Sequence, residues 1–346
     1  MKKTIPLLTG LFIMAGTTFT QADWSDPVLP LVFGNTYVSS GANAEVGGDI
    51  VANTYLVVGA GSAVNGNIQT GTAITFGAGS TVGTAGTDIK NTLSGTATTL
   101  GASTVVSGSA TYGTAFTLGA GAIVHYGEAP GAAPVMPYES GQVNVAQNHY
   151  NLFTATDPNN RNVLATTMPS DVTLDPSSFG TTTDGTTVVY NAASLTTGAG
   201  ITLTLTGGYD YIFNIADMLS LGAGTIIVMT DCSDFGSVCG SGSGSVTWNM
   251  GGYASVGAHA EMIGAVFAGG YISTGVDSEI SGANAPSTLG MYEASYSGGL
   301  FSATSYVTIG AGGKVNGYTA SDSDFDIDSE TDSETDSETE TESIEN

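Results

Sequence analysis

From residue 37 onward apolar and polar positions alternate in very short runs, each cut off after a few residues by glycine, and the runs recur as one phrase. A glycine is followed five positions later by an apolar residue: Gly41 and Val46, Gly59 and Val64, Gly77 and Val82, Gly101 and Val106, Gly119 and Val124, Gly198 and Leu203, Gly222 and Ile227, Gly257 and Met262, Gly275 and Ile280, Gly310 and Val315. Two positions before the glycine stand Ser39, Val57, Thr75, Thr99, Thr117, Thr196, Ser220, Ser255, Ser273 and Thr308, so a hydroxyl column accompanies the apolar one. The steps between glycines are 18, 18, 24 and 18, then, after a break, 24, 35, 18 and 35. Within the first block Val58, Val64, Thr70, Phe76 and Val82 are six apart, as are Leu100, Val106, Tyr112, Leu118 and Val124. A coil of about 18 residues with three short strands, lengthened in places by loops, predicts an all-β fold: a β-solenoid of roughly triangular section.

The alternation assigns directions within a coil. In ITF, TTL and FTL at 74–76, 98–100 and 116–118 the outer two residues point inward and the central Thr outward, following the period of two. Thr98 and Thr197 then point inward, and as buried hydroxyls they are expected to bond to neighbouring coils. The two blocks are separated by a different pattern. In SGQVNVAQNHYNLFTATD, Val143, Ala146, Tyr150 and Phe153 share one helical stripe, and Pro158 follows. One long amphipathic α-helix over about 140–157, lying along a solenoid face, is expected.

Composition adds compartment and exclusions. Lys2 and Lys3, a mostly apolar stretch from Ile5 to Ala15, and Thr20 and Ala22 before Asp23 have the layout of a secretory signal peptide over 1–22. The solenoid domain is then expected over 23–318, in a secreted, extracellular protein. The formal charge is −26, and beyond the signal only Lys90, Arg161 and Lys314 are basic, which excludes a nucleic acid partner. Residues 319–346 are rich in Asp and Glu and poor in apolar residues, the composition of a disordered acidic tail. Cys232 and Cys239 stand close together in DCSDFGSVCG, where a disulfide closing a small loop is the expected arrangement in an exported chain.

The whole pattern resembles the microbial ice-binding proteins built as a discontinuous, right-handed β-solenoid with a long helix packed alongside. The resemblance is strongest over about 140–318: the helix, YDYIFNIADMLSLGAG, SVTWNMGGYASVGAHAEMIGAVFAGGYISTGVDSEISG and the closing VTIGAGGKVNG. The regular coils of residues 37–126 also resemble bactofilin-type polymer-forming solenoids. The first resemblance implies an antifreeze protein that limits ice growth or recrystallisation through a flat Ser/Thr face made of Thr75, Thr99, Thr117, Thr196, Ser220, Ser255, Ser273 and Thr308. The ice surface is then the partner, and a monomer is expected.

Other readings stay open. Two residues before the column lie Tyr37, Tyr55, Ala73, Ala97, Ala115, Ser194, Met218, Tyr253, Tyr271 and Tyr306, and tyrosine rows such as Tyr253, Tyr271 and Tyr306 suit an extracellular polysaccharide-binding or adhesive module. Regular coils with open ends also suit a self-assembling scaffold. A hydroxyl column has its own structural use as well, because Thr and Ser pair modestly across strands. No enzyme is expected. His125, His149 and His259 lie in no nucleophile, metal or phosphate-binding motif, and Glu45, Glu261 and Glu279, at one repeat position, read as a solvated row. No cofactor or metal is implied.

Overall fold

A computed structural model describes residues 30–84, 86–131, 162–176, 186–230, 244–283 and 298–317. The expected helix at 140–157, Cys232 and Cys239, the signal segment and the acidic tail lie outside these residues. Every regular element among the described residues is a β-strand, and the thirty-four strands form three parallel sheets of 12, 11 and 11. Each coil contributes one strand to each sheet. Coil one, for example, consists of β1 (Val32–Gly34), β2 (Val38–Ser40) and β3 (Glu45–Val46).

The first described coil lies in the middle of the stack. Coils are added outward from β1–β3 until β14 (Ala115–Leu118), β15 (Ile123–Val124) and β16 (Glu128–Pro130) form one end. The chain resumes at the opposite end with β17 (Asn162–Val163), β18 (Thr167–Met168) and β19 (Val172–Leu174), and works back inward. The last coil, β32 (Gly299–Ser302), β33 (Val307–Ile309) and β34 (Lys314–Asn316), docks on the first. Val32 pairs with Leu300, Ser39 with Thr308 and Val46 with Val315, so the two blocks form one uninterrupted stack.

The phrase has a physical reason at each position. Its apolar anchor fills the core of the third sheet: Val46, Val64, Val82, Val106, Leu203, Ile227, Met262, Ile280 and Val315 are all buried, and only Val124, in the end coil, is partly exposed. Its leading glycine is where successive coils touch. A Cβ on Gly59 would stand 2.1 Å from the Gly41 carbonyl oxygen, and one on Gly257 would stand 2.5 Å from Gly222 C. Two positions on, the backbone turns through the left-handed region in every copy, at Asn43, Gly61, Gly79, Ser103, Gly121, Gly200, Gly224, His259, Asp277 and Gly312. Asn, Asp and Gly tolerate that turn best.

The lumen of the second block is filled by a ring stack. Tyr190 lies 5.3 Å from Phe213, which lies 4.0 Å from Trp248, and the Trp248 Nε1–H donates to the Ile263 carbonyl. Of the inward threonines, Thr197 bonds to Thr225 of the next coil at 2.8 Å and accepts the Gly222 N–H, as expected. Thr98 instead bonds to Ser94 of its own coil at 2.8 Å, because the preceding strand ends close enough across the corner to satisfy it. The first sheet is buried on both faces over most of its length: Phe33, Phe267 and Phe301, on the face opposite the core residues Val32, Val266 and Leu300, have no exposure. That leaves the outer faces of the second and third sheets open to water.

Candidate functional site

The second sheet aligns the hydroxyl column across both blocks. In order along the stack it reads Thr117, Thr99, Thr75, Val57, Ser39, Thr308, Ser273, Ser255, Ser220, Thr196 and Thr167, each paired in register with the next. All eight residues expected on this face are brought together, and Ser39 and Thr167 join them. Thr167 was hidden because its coil carries Pro169 in place of the leading glycine and has a turn two residues shorter: the partner of the anchor Leu203 is Val172, three after Pro169, so the five-residue spacing is lost. Val57, 37 % exposed, is the single apolar member. At about 4.8 Å per strand the eleven rungs span roughly 48 Å.

A second lane runs beside the first, about 6.7 Å away along each strand. It holds Ala115, Ala97 and Ala73, then Tyr55, Tyr37, Tyr306, Tyr271 and Tyr253, then Met218 and Ser194. The five tyrosines form one ladder over the seam between the blocks, with ring centroids 4.9, 4.7, 5.4 and 4.8 Å apart and planes within 6–11° of parallel. Ring faces are therefore spent on one another, and the ladder presents ring edges and hydroxyls outward. Tyr253 closes one end with its hydroxyl 2.8 Å from Met218 Sδ. The phenol of Tyr37 is pushed above its usual range by burial and by the neighbouring Tyr306 and Tyr55 phenols, partly offset by a hydrogen bond with the Thr308 hydroxyl. Burial and the flanking phenols of Tyr253 and Tyr306 push Tyr271 the same way.

Neither lane contains an ionisable carboxylate, lysine, arginine or histidine. Apart from Thr308, the column hydroxyls take no hydrogen bond from the rest of the chain among the described residues, so their donors and acceptors are left to solvent. A neighbouring threonine column behaves oppositely. At the corner entering this sheet, Thr54, Thr72, Thr96 and Thr114 each donate to the carbonyl of the coil before: Thr54 to Thr36, Thr72 to Thr54 at 2.7 Å, Thr96 to Thr72 at 2.9 Å and Thr114 to Thr96 at 3.1 Å. One set of threonines fastens coils together, and the other faces water.

The third sheet places its charges differently from the expectation of a plain acidic row. Lys314 is in register between Glu45 and Glu279, and Glu261 follows Glu279, so one cation sits within the carboxylate line. No cluster of three or more potential metal ligands occurs among the described residues. His259 lies at a corner, 3.7 Å from Asp277, with both side chains more than half exposed.

The class defined by this geometry is a parallel β-solenoid with one long, uncharged, hydroxyl-lined face. No family model matches the chain, and no curated protein matches it. Among solved structures it is similar to an ice-binding protein from the Antarctic ascomycete Antarctomyces psychrotrophicus, at 14% identity over 85% of this chain and 97% of that one, with a TM-score of 0.43. It is also similar to the DUF3494 domain of Shewanella frigidimarina ice-binding protein_1, at 16% identity over 84% of this chain and 95% of that one, TM-score 0.41. A third likeness is to the ice-binding protein LeIBP from an Arctic yeast, at 14% identity over 83% and 93%, TM-score 0.39. At such identities and scores these are likenesses of outline, and the reading of the face rests on its own geometry.

Proposed function

We propose that this is an ice-binding protein that adsorbs to ice through the outer face of the second sheet and so limits crystal growth or recrystallisation. The observation that carries the reading is the in-register column from Thr117 to Thr167, continuous across both blocks, free of charge and with every hydroxyl but that of Thr308 unspent among the described residues. Parallel strands hold these groups at about 4.8 Å spacing, close to the repeat of hexagonal ice along one axis, and the Ala73, Ala97 and Ala115 lane keeps one section low and methyl-rich. A rigid grid of this kind holds first-shell water in lattice-like positions at little entropic cost, because the side chains are already ordered by their strands. The polysaccharide reading loses its main support, since sugar stacking needs free ring faces and the tyrosine ladder uses its own.

The fuller reading places the protein outside the cell, with residues 1–22 as its export signal, Cys232 and Cys239 bridged, and a roughly triangular section. It also places a helix over 140–157 along the first sheet. Two observations support the helix. The outer face of that sheet is buried at Phe33, Phe267 and Phe301. The chain must also pass from β16 to β17, the two edges of the 12-stranded sheet, about 53 Å apart. An 18-residue helix of about 27 Å flanked by extended chain covers that distance.

The test is thermal hysteresis and recrystallisation inhibition by residues 23–320. Both are expected. Absence of both at high micromolar protein ends the proposal. Thr99→Tyr, on the methyl-rich section, is expected to reduce activity sharply at unchanged melting temperature; full activity in that variant would move the contact to another face.

A further inference from the structure

We propose that two copies associate head to head through the coil of residues 110–131, forming a two-fold dimer whose hydroxyl faces run on as one surface. The two ends of the stack are not alike. At the β17–β19 end the inward residues Met168 and Leu174 are buried, at 4 % and 2 % exposure, and Val172, in register with Leu203, is partly covered. At the β14–β16 end the core simply stops. Leu118, in register with the buried Leu100, is 49 % exposed, and Phe116 and Val124, which fill the lumen one coil further in as Thr98 and Val106, are only partly covered; Ile123, on the outward side of the third sheet, adds an apolar rim.

Among the described residues β14, β15 and β16 are edge strands of all three sheets, as β17–β19 are at the other end, and only here do the three edges surround an uncovered apolar centre. Ala115 and Gly119 donate their N–H groups back to the preceding coil, so the strand alternation points the Phe116 and Leu118 amides outward. A partner that satisfies three edges in this arrangement, around an apolar centre, must itself end in a three-stranded coil of the same size. A second copy is such a partner, and the end coil is made for self-contact in charge as well. In a chain of formal charge −26, residues 110–131 carry only His125 and Glu128 as charged or basic side chains.

Those two residues select one of the possible two-fold arrangements. If β16 met β16 of the second copy, Glu128 would face Glu128 and Pro130 would bring no N–H to the joint. If the axis instead passes through the second sheet, β14 pairs antiparallel with its own counterpart, and β15 meets β16 of the other copy. His125 then comes beside Glu128 twice per dimer, and Leu118 and Phe116 of both copies close over the joint. In this arrangement the column continues from Thr117 into Thr117 of the second copy, which doubles the length of the face. The opposite end also ends in three strand edges, but it is closed over its apolar centre at Met168 and Leu174, so association through an exposed core stops at two and does not run on into filaments. The dimer itself does not depend on ice binding; only the use of the lengthened face rests on that reading.

Sedimentation velocity of the full chain across the micromolar range, without ice, tests the pairing. A concentration-dependent dimer is expected. Leu118→Glu should raise its dissociation constant about tenfold or more, by placing charge in an apolar joint, while Thr173→Glu at the closed end should leave it unchanged. His125→Glu should weaken the dimer, and adding Glu128→Lys to it should restore association. Amide exchange at Phe116 and Leu118 should slow as wild-type concentration rises, which checks the joint without any substitution. A wild-type chain that stays monomeric throughout overturns the proposal, as does a Leu118→Glu variant that dimerises normally. Failure of the ice assays with an intact dimer would instead reject the function and keep the pairing.

Discussion

At the residue scale, glycine and threonine each occur here in two roles that look alike in the sequence. The leading glycine of the phrase is demanded by the coil beneath it, so the need should vanish where nothing lies beneath in the same way. Gly198, whose neighbouring coil carries Pro169, is that case: a Cβ there would meet only the Ile201 side chain at 3.5 Å. Gly198→Ala is expected to change stability by less than about 0.5 kcal/mol, whereas Gly257→Ala, pressed against Gly222 and Ala223, should cost about 1–3 kcal/mol. Thermal melts of the two variants decide between them, and an equal loss in both would refute the close-approach account. The threonines divide similarly. Thr72→Val breaks a hydroxyl-to-carbonyl bond between coils and should cost about 1 kcal/mol, while Thr75→Val, three residues on, should leave the melt unchanged.

At the scale of an element, the tyrosine ladder both braces the seam and sets an alkaline limit. Tyr306 stacks on Tyr37 and on Tyr271, one contact from each block, so Tyr306→Ala removes two stacks and should cost about 1–3 kcal/mol. The phenols of Tyr37 and Tyr271 are raised above 10.0, and burial lifts the interior Tyr190 to about 12 and Tyr211 further still. Below pH 10 these phenols are protonated in folded and unfolded chains alike, and their contribution is complete. As pH rises past 10 the unfolded chain loses its phenolic protons first, which favours unfolding, and the contribution falls away toward pH 12. Circular dichroism and phenolate absorbance followed together should show a flat signal to pH 10 and then a joint transition. Full phenolate formation with the strands intact would contradict the burial assigned to Tyr190 and Tyr211.

At the scale of the molecule, the last described coil fastens the two blocks, because β32–β34 lies between the first coil and the rest of the second block. Ending the chain before residue 298 would expose β1–β3 on one side and the coil of Ile272 and Ile280 on the other. The truncated protein should melt in two transitions, the first well below that of the full chain, whereas one unchanged transition in calorimetry would mean that the blocks never depended on each other.

Much of this architecture was legible beforehand, and the reason is locality. The anchors Val46 to Val315, the outward Thr75 and Thr99 and the three-strand coil follow from alternation and a fixed period, which act over a few residues and leave their trace in consecutive letters. The seam does not. That Ser39 lies beside Thr308, that Tyr37 stacks on Tyr306, and that Lys314 interrupts the glutamate row are contacts between chain segments far apart in sequence, and only the closed stack selects them. The same holds for the division of the threonines, since whether a hydroxyl meets a carbonyl or water depends on the coil below it. Sequence by itself thus determined the repeating unit and the surface chemistry each unit displays. Tertiary structure decided the order in which the units stack, and with it that the hydroxyl column forms a single face, because that order depends on which edges meet and the local pattern is the same in every coil.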